Sequence, residues 1–331
     1  MSSPVILSGD VGGTKTHLAV YAARGDELIP VFERTYRSRD FNGLPAVLKA
    51  MLDERPTEVT AATFGIAGPI VEHRSKLTNL GWEVDGREVA DCLKLKHVGL
   101  LNDLEAMAYG TLRLRENERV VLQKGKRQER RTIAVIAAGT GLGEAGLLWD
   151  GRRYLAIPTE GGHTDFGPRN ELEIELLRFL LGRHKRVSYE RIVCGQGLKN
   201  TYDFFRQRSG VPEPEWLAAE LAGGDPAAAI SRAGSSGKDV VCKEALDLFV
   251  SLYGAEAGNL ALKLCSTGGV FVGGGIAPKL LPLIQGGAFM HSFVFKGRYQ
   301  PLLEQMPVEV ILNEKAALIG AAHFAQVFEM Q

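Results

Sequence analysis

The chain has 331 residues, with 39 Lys+Arg against 39 Asp+Glu, a formal net charge of zero, 45% hydrophobic residues and 24% charged ones. That length exceeds one ordinary core and fits two domains, and the composition is that of a soluble globular protein. Charge balance gives no support to a nucleic-acid or membrane-surface partner, each of which usually shows as a basic excess. The four cysteines, Cys92, Cys194, Cys242 and Cys265, are scattered without CxxC spacing, which argues against a zinc site and suggests no disulfide framework. Asp10 interrupts the first apolar run, so no leader is expected. Glu144 and Lys279 break the longest apolar stretches, so no membrane span is expected either. The expected setting is reducing and cytoplasmic.

Val5 to Leu7 read as a strand that runs into the turn Gly9-Asp10-Val11-Gly12-Gly13-Thr14, with a second strand from about Leu18 to Tyr21. Leu44, Val47, Leu48, Met51 and Leu52 have the spacing of an amphipathic helix. Thr60 to Ala67 is an apolar strand closed by Gly68-Pro69, and Val98 to Leu101 is another that ends in Asn102-Asp103, with Leu104 to Tyr109 helical. The opening pattern then recurs: a strand from Ile133 to Ala137, the turn Gly139-Thr140-Gly141-Leu142-Gly143, and a returning strand from Ala145 to Trp149. This is a weak internal repeat, open to duplication or to chance.

The second half is more helical. Asn170 and Glu173 have the spacing of a capping box. Gly223 to Lys238 reads as a surface loop or short helices, followed by a long helix from about Lys238 to Leu264. A strand from Val270 to Val272 leads into Gly273-Gly274-Gly275, and Val308 to Leu312 and Ala316 to Phe328 read as a last strand and a terminal helix. Alternating strands and helices give an α/β class.

Three glycine clusters follow apolar strands. Glycine lets backbone N–H groups surround phosphate oxygens, although any one cluster also reads as a tight turn. Neither GxxxxGK[ST] nor a helix-opening GxGxxG is present. Asp10 beside phosphates calls for a divalent cation, which makes it the candidate metal residue, acting on Mg²⁺ through water; the plain alternative is a turn aspartate. Asn102-Asp103 ends a buried strand, where open α/β sheets place ligand contacts, and the pair reads equally as a helix cap. Glu160 and His163 flank a Gly-Gly turn suited to sugar hydroxyls, and Asp165 follows; His163 alone reads as a structural histidine. Glu190 alone reads as a surface charge.

Together these residues resemble the bacterial glucokinase family, a branch of the actin and hexokinase-like ATPase superfamily. The resemblance rests on Gly9 to Thr14, Thr78-Asn79-Leu80-Gly81-Trp82, Leu100-Leu101-Asn102-Asp103, Gly139 to Gly143, Glu160 to Phe166, Ser188 to Gly195, and Gly268 to Ile276. It implies a two-domain actin-like ATPase (ribonuclease H-like) fold with a central cleft, divided as 1–112 plus 308–331 and 113–307. It implies that ATP phosphorylates glucose at its 6-hydroxyl, the entry step of glycolysis, in a homodimer. Asp103 is then the catalytic base, and Asn79, Asn102, Asp103, Glu160, His163 and Glu190 bind the sugar. Gly9, Asp10, Val11, Gly12, Gly13 and Thr14, with Gly139, Thr140 and Gly141, hold the phosphates, and Gly273 and Gly274 lie near the adenosine.

Lys15-Thr16, Cys194 and Gln196 depart from the family's pattern, which bears on the nucleotide contacts and the rim of the sugar pocket. No cysteine cluster follows His163, unlike the zinc-bearing ROK kinases and repressors. Rival readings are a kinase for another hexose or an acylhexosamine, a sugar-responsive transcriptional regulator, and a chaperone- or actin-like ATPase without a sugar site. A regulator needs a DNA-binding segment, for which no room is expected before Gly9. An ATPase alone leaves the polar set from Asn102 to Glu190 without a purpose.

Overall fold

A computed structural model describes residues 3–77 and 79–330; Thr78, the first residue of the Thr-Asn-Leu-Gly-Trp motif, lies outside them. In chain order the strands are β1 (Val5–Val11), β2 (Lys15–Arg24), β3 (Glu27–Arg37), β4 (Ala61–Ile66), β5 (Arg74–Leu77), β6 (Trp82–Asp85), β7 (Gly99–Asn102), β8 (Arg119–Gln123), β9 (Ile133–Ala138), β10 (Leu142–Trp149), β11 (Tyr154–Pro158), β12 (Gly269–Gly273) and β13 (Val308–Ile311). The longer helices are α1 (Leu44–Glu54), α2 (Gly86–Leu93), α3 (Asp103–Thr111), α4 (Glu171–Leu181), α5 (Gly195–Ser209), α6 (Glu215–Ala222), α7 (Pro226–Ser235), α8 (Val240–Leu264) and a C-terminal helix, Ala316–Phe324. Among the described residues no helix is long and apolar enough to cross a membrane.

The chain divides into two compact units. The first runs to Glu118 and takes in Tyr154–Pro158 and the segment from Asn313; the second is Arg119–Arg153 with Thr159–Leu312. These limits differ from the 112/113 and 307/308 boundaries expected from sequence. The difference has a structural cause: β13 pairs in parallel with β12 and so belongs to the second sheet rather than the first.

In the first unit the strand order is β3-β2-β1-β4-β7. β2 runs antiparallel to β1, while β1, β4 and β7 are parallel. All six residues of β4 are buried, as expected of a strand covered on both faces. Side chains alternate across the sheet. Leu7 and Leu18 face α1, which contributes Leu44, Val47, Leu48 and Met51. Ile6 and Ala19 face Leu318 and Ala322 of the C-terminal helix. That helix and α3 meet backbone to backbone: a Cβ on Gly320 would strike the Ala106 carbonyl, and one on Gly110 the Ala316 carbonyl. The C-terminal helix ends at Phe324 and continues as a π-helical turn, Ala325–Glu329, where a single helix to Phe328 was expected.

In the second unit the strands run β10-β9-β12-β13-β8, and the first four repeat the directions of β2-β1-β4-β7 while β8 is antiparallel to β13. β10 is antiparallel to β9, and β9, β12 and β13 are parallel. The strand–glycine turn–strand repeat seen in the sequence is therefore the head of the same four-strand pattern in both units. The 25-residue α8 is buried on nearly every side and anchors this core through Phe249 and Tyr253.

Candidate functional site

Register decides what the first unit can present. Val11 pairs with Ile66, and Ile66 with Asn102, so β1, β4 and β7 end in one row. Gly12 and Asp103 each stand one residue beyond that row, two strand spacings or about 10 Å apart along the carboxyl edge. Ligands bind at that edge in open α/β sheets.

The Gly12-Gly13 turn is tied down locally: Gly12 N–H donates to Lys15 O at 3.0 Å, and Ser38 Oγ donates to Gly12 O at 2.8 Å. Ser38 is fully buried and shares a 3.0 Å hydrogen bond with Thr16 Oγ1. Asn79 lies against this turn, since a Cβ on Gly13 would stand 3.7 Å from Asn79 Cβ. Asp10, one residue before the end of β1, has its carboxyl pushed up by burial, with His17 opposing in part.

Asn102 is a helix cap, and its amide carries a further donor. Its Oδ1 accepts from Leu104 N–H at 2.9 Å and its backbone N–H donates to Glu105 Oε2 at 3.1 Å, a full capping box on α3. Its Nδ2 donates to Gly68 O at 3.1 Å, which leaves one amide hydrogen for a ligand. Asp103 opens α3 with its Oδ1 accepting from Leu104 N–H at 2.9 Å, at a helix end that favours negative charge.

The second unit gathers its own set. Between β9 and β10, Gly139 N–H donates to Gly141 O at 2.8 Å, and Gly195 N–H, at the start of α5, donates to Gly139 O at 2.9 Å. The N-terminus of a 15-residue helix thus abuts the second glycine turn, an arrangement that suits anions. Gly273 pairs with Ala137, placing the third glycine cluster at the same edge of the sheet. Gly274 has φ +80°, and a Cβ there would strike the Ala138 carbonyl, so only glycine fits. Tyr253, fully buried, accepts from Ala138 N–H and donates to Gly273 O, both at 3.1 Å, and so clamps the two glycine turns from below.

Glu190 links this phosphate-sized turn to the Glu160–His163 turn. Its Oε2 accepts from Leu142 N–H at 3.0 Å, and its Oε1 lies 3.8 Å from His163 Nδ1. Glu160 and His163 are exposed at either end of a 3-10 turn, Gly161–His163. Tyr189 N–H donates to Thr164 O at 3.1 Å and Phe166 N–H to Val187 O at 3.0 Å, which stitches the two segments together. Asp165 points away into an ion pair with Arg186 at 2.9 Å. At Asn170 only half of the expected capping box forms: its Oδ1 accepts from Glu173 N–H, while the Glu173 carboxylate takes Arg169.

Sequence reasoning missed the supports. Ser38, Tyr253 and Glu105 lie far in sequence from the motifs that they hold, or sit in ordinary helical and turn patterns. The capping spacing from Asn102 to Glu105 was the one available signal.

Two α/β units with the same sheet order, each headed by a glycine turn on its first hairpin, define a two-domain actin-like ATPase. The glucokinase family model matches residues 7–327. The chain is 45% identical to a curated glucokinase from a Nostoc species, covering 96% of this chain and 98% of that one. It is 31% identical to the crystal structure of a glucokinase from an Antarctic psychrotroph, with a TM-score of 0.87 over 97% of this chain and 98% of the other. A ROK family glucokinase from Streptomyces griseus, solved with glucose and AMPPNP, shares the fold at 21% identity and a TM-score of 0.65, over 97% and 99% of the two chains. The chain belongs to the glucokinase family. It is an ATP-dependent hexose kinase that transfers the γ-phosphoryl group of ATP to the 6-hydroxyl of glucose, giving glucose 6-phosphate and ADP.

Proposed function

We propose that Asp103 is the base of this reaction. The supporting observation is the register that aligns Val11, Ile66 and Asn102, which sets a fixed carboxylate and the first glycine turn on one sheet edge. The Asp103 carboxylate takes the proton of the 6-hydroxyl as that oxygen bonds to the γ-phosphorus; the bond from phosphorus to the bridging oxygen breaks and ADP leaves. Asn102, through its remaining amide hydrogen, and Asn79, Glu160, His163 and Glu190 hold the sugar hydroxyls. Gly9 to Thr14 and Gly139 to Gly141 bind the phosphates through backbone N–H groups, and Gly273-Gly274 borders the adenosine.

Asp10 fits a metal role, because a carboxyl that burial makes costly to ionise is relieved by a cation. A single carboxylate suits Mg²⁺, which usually retains water and binds phosphate oxygens. When bound, Mg²⁺ would neutralise charge on the β- and γ-phosphates. Family membership supports a cytoplasmic homodimer feeding glycolysis, and sedimentation of the purified chain tests the dimer.

Asp103→Asn should keep glucose affinity by calorimetry and lower kcat by about 10²- to 10⁴-fold, the usual worth of a general base. Wild-type turnover in that variant removes Asp103 from the role. An ADP-release assay across glucose, mannose, fructose and acylated hexosamines tests the acceptor.

A further inference from the structure

Among the buried carboxyls of the second unit, Glu173, Asp239 and Glu309 each pair with an arginine, whereas Glu144 and Glu256 meet each other. Glu144 on β10 is 2% exposed and Glu256 on α8 is 0% exposed, and a side-chain hydrogen bond joins them. Two carboxylates have no donor between them, so that bond requires a proton on one. Without it, Glu144 Oε1 is orphaned among the described residues. Glu256 has other donors, Asn259 Nδ2 at 2.7 Å and Lys263 Nζ at 3.4 Å. The shared proton therefore belongs on Glu144. Burial first, and the Glu256 charge second, push the Glu144 carboxyl up to about 8, with Lys263 opposing.

Glu144 is also the floor of the Glu160–His163 turn. A Cβ on Gly161 would fall on the Glu144 carboxyl. Thr159 Oγ1 donates to Glu144 O at 3.2 Å and accepts from Gly161 N–H at 3.0 Å. The groups around the pair are Lys263 and the Tyr253 phenol on α8, Tyr189 beside Glu256, Lys296 through Asn259, and Glu160 and His163 on the turn above.

We propose that Glu144 and Glu256 share one proton, and that neutral Glu144 is a positioning residue that seats the Gly161-Gly162 turn and so sets the reach of Glu160 and His163. This rests on the reading that the turn grips the sugar. Loss of the proton places two like charges beneath the turn and loosens it, which weakens glucose binding while leaving the transfer step nearly unaltered.

The test compares the full-length wild type with Glu144→Gln, which donates to Glu256 at every pH. KM and kcat for glucose, and hydrogen exchange of amides 161–164 corrected for intrinsic rate, are followed from about pH 7 to about pH 9.5. In the wild type, KM should rise about tenfold and amide protection fall over that range, as the pair loses its proton. In Glu144→Gln both should stay flat. In Glu256→Gln, an ionised Glu144 meets an amide donor instead of a like charge, so the alkaline rise in KM should be lost. A Gln variant that follows the wild-type pH dependence overturns the proposal, as does wild-type protection that ignores pH. Glu160→Ala separates the two claims. If it leaves KM unchanged while protection still follows the Glu144 proton, the sugar reading fails and the positioning role stands.

Discussion

At the scale of single residues, buried chemistry is where sequence and structure part. Asp10, Asn102, Asp103, Glu160 and His163 were legible as candidates because each stands in a short motif beside glycine or at a strand end, whereas Glu190 entered only through the family resemblance. Glu144 stands in an apolar strand, and in sequence it reads only as a charge that interrupts a hydrophobic run. Its pairing with Glu256, more than a hundred positions away, exists only in the folded core. That pairing has a thermodynamic signature. The Glu144 carboxyl sits near 8 in the folded chain against 4.5 in the unfolded one. Between those values the native state holds a proton that the unfolded state lacks, so unfolding free energy falls as pH rises. The slope is at most about 1.4 kcal/mol per pH unit, confined to the window from about 4.5 to about 8 and flat above it. Glu144→Gln removes this term. Its urea midpoint should therefore gain on the wild type as pH rises from about 5 to about 8, and a constant difference between the two would refute the assignment.

At the scale of elements, strands buried on both faces and helices with a regular apolar stripe could be read from sequence. The termini of β1, β4, β7, β9, β12 and α1 fall within a few residues of the expected ones. β3 could not be read: its burial pattern is mostly exposed or intermediate over eleven residues, and it is a strand because β2 supplies a ten-residue pairing partner. β8 fails for the same reason, since its stability comes from a neighbour rather than from its own pattern; β5 and β6 do alternate buried and exposed residues, but over only four residues each. The C-terminal helix shows how an element remote from the site can set it. Gly320 lies on the Ala106 carbonyl, in the middle of the helix whose first residue is Asp103. Gly320→Ala must push α3 outward. Overpacking of this kind costs about 1–3 kcal/mol, and kcat should fall because the Asp103 carboxylate moves with its helix. Urea unfolding and steady-state rates check both halves, and an unshifted kcat would mean that α3 yields at its far end instead.

At the scale of the whole molecule, the duplicated sheet order was foreshadowed by two hairpins with glycine turns, but strand order was not. Nothing in the residues of β13 says that it pairs with β12, which is why the domain limits moved. The proposed sugar assignment draws Asn102 and Asp103 from one unit and Glu160, His163 and Glu190 from the other, and this division makes it testable without chemistry. Glucose alone, at about a hundred times its Kd, should stabilise the wild type by about 2.7 kcal/mol. Asp103→Asn should retain most of that gain, because an amide still accepts and donates hydrogen bonds. Asn102→Ala and Glu160→Ala should each lose most of it, read as the glucose-induced shift rather than the absolute midpoint, since the loss of the α3 cap itself costs about 1 kcal/mol. If Glu160→Ala abolishes the shift and Asn102→Ala leaves it whole, the first unit does not hold the sugar. Asp103, next to Asn102 at the end of β7, then has no 6-hydroxyl to deprotonate.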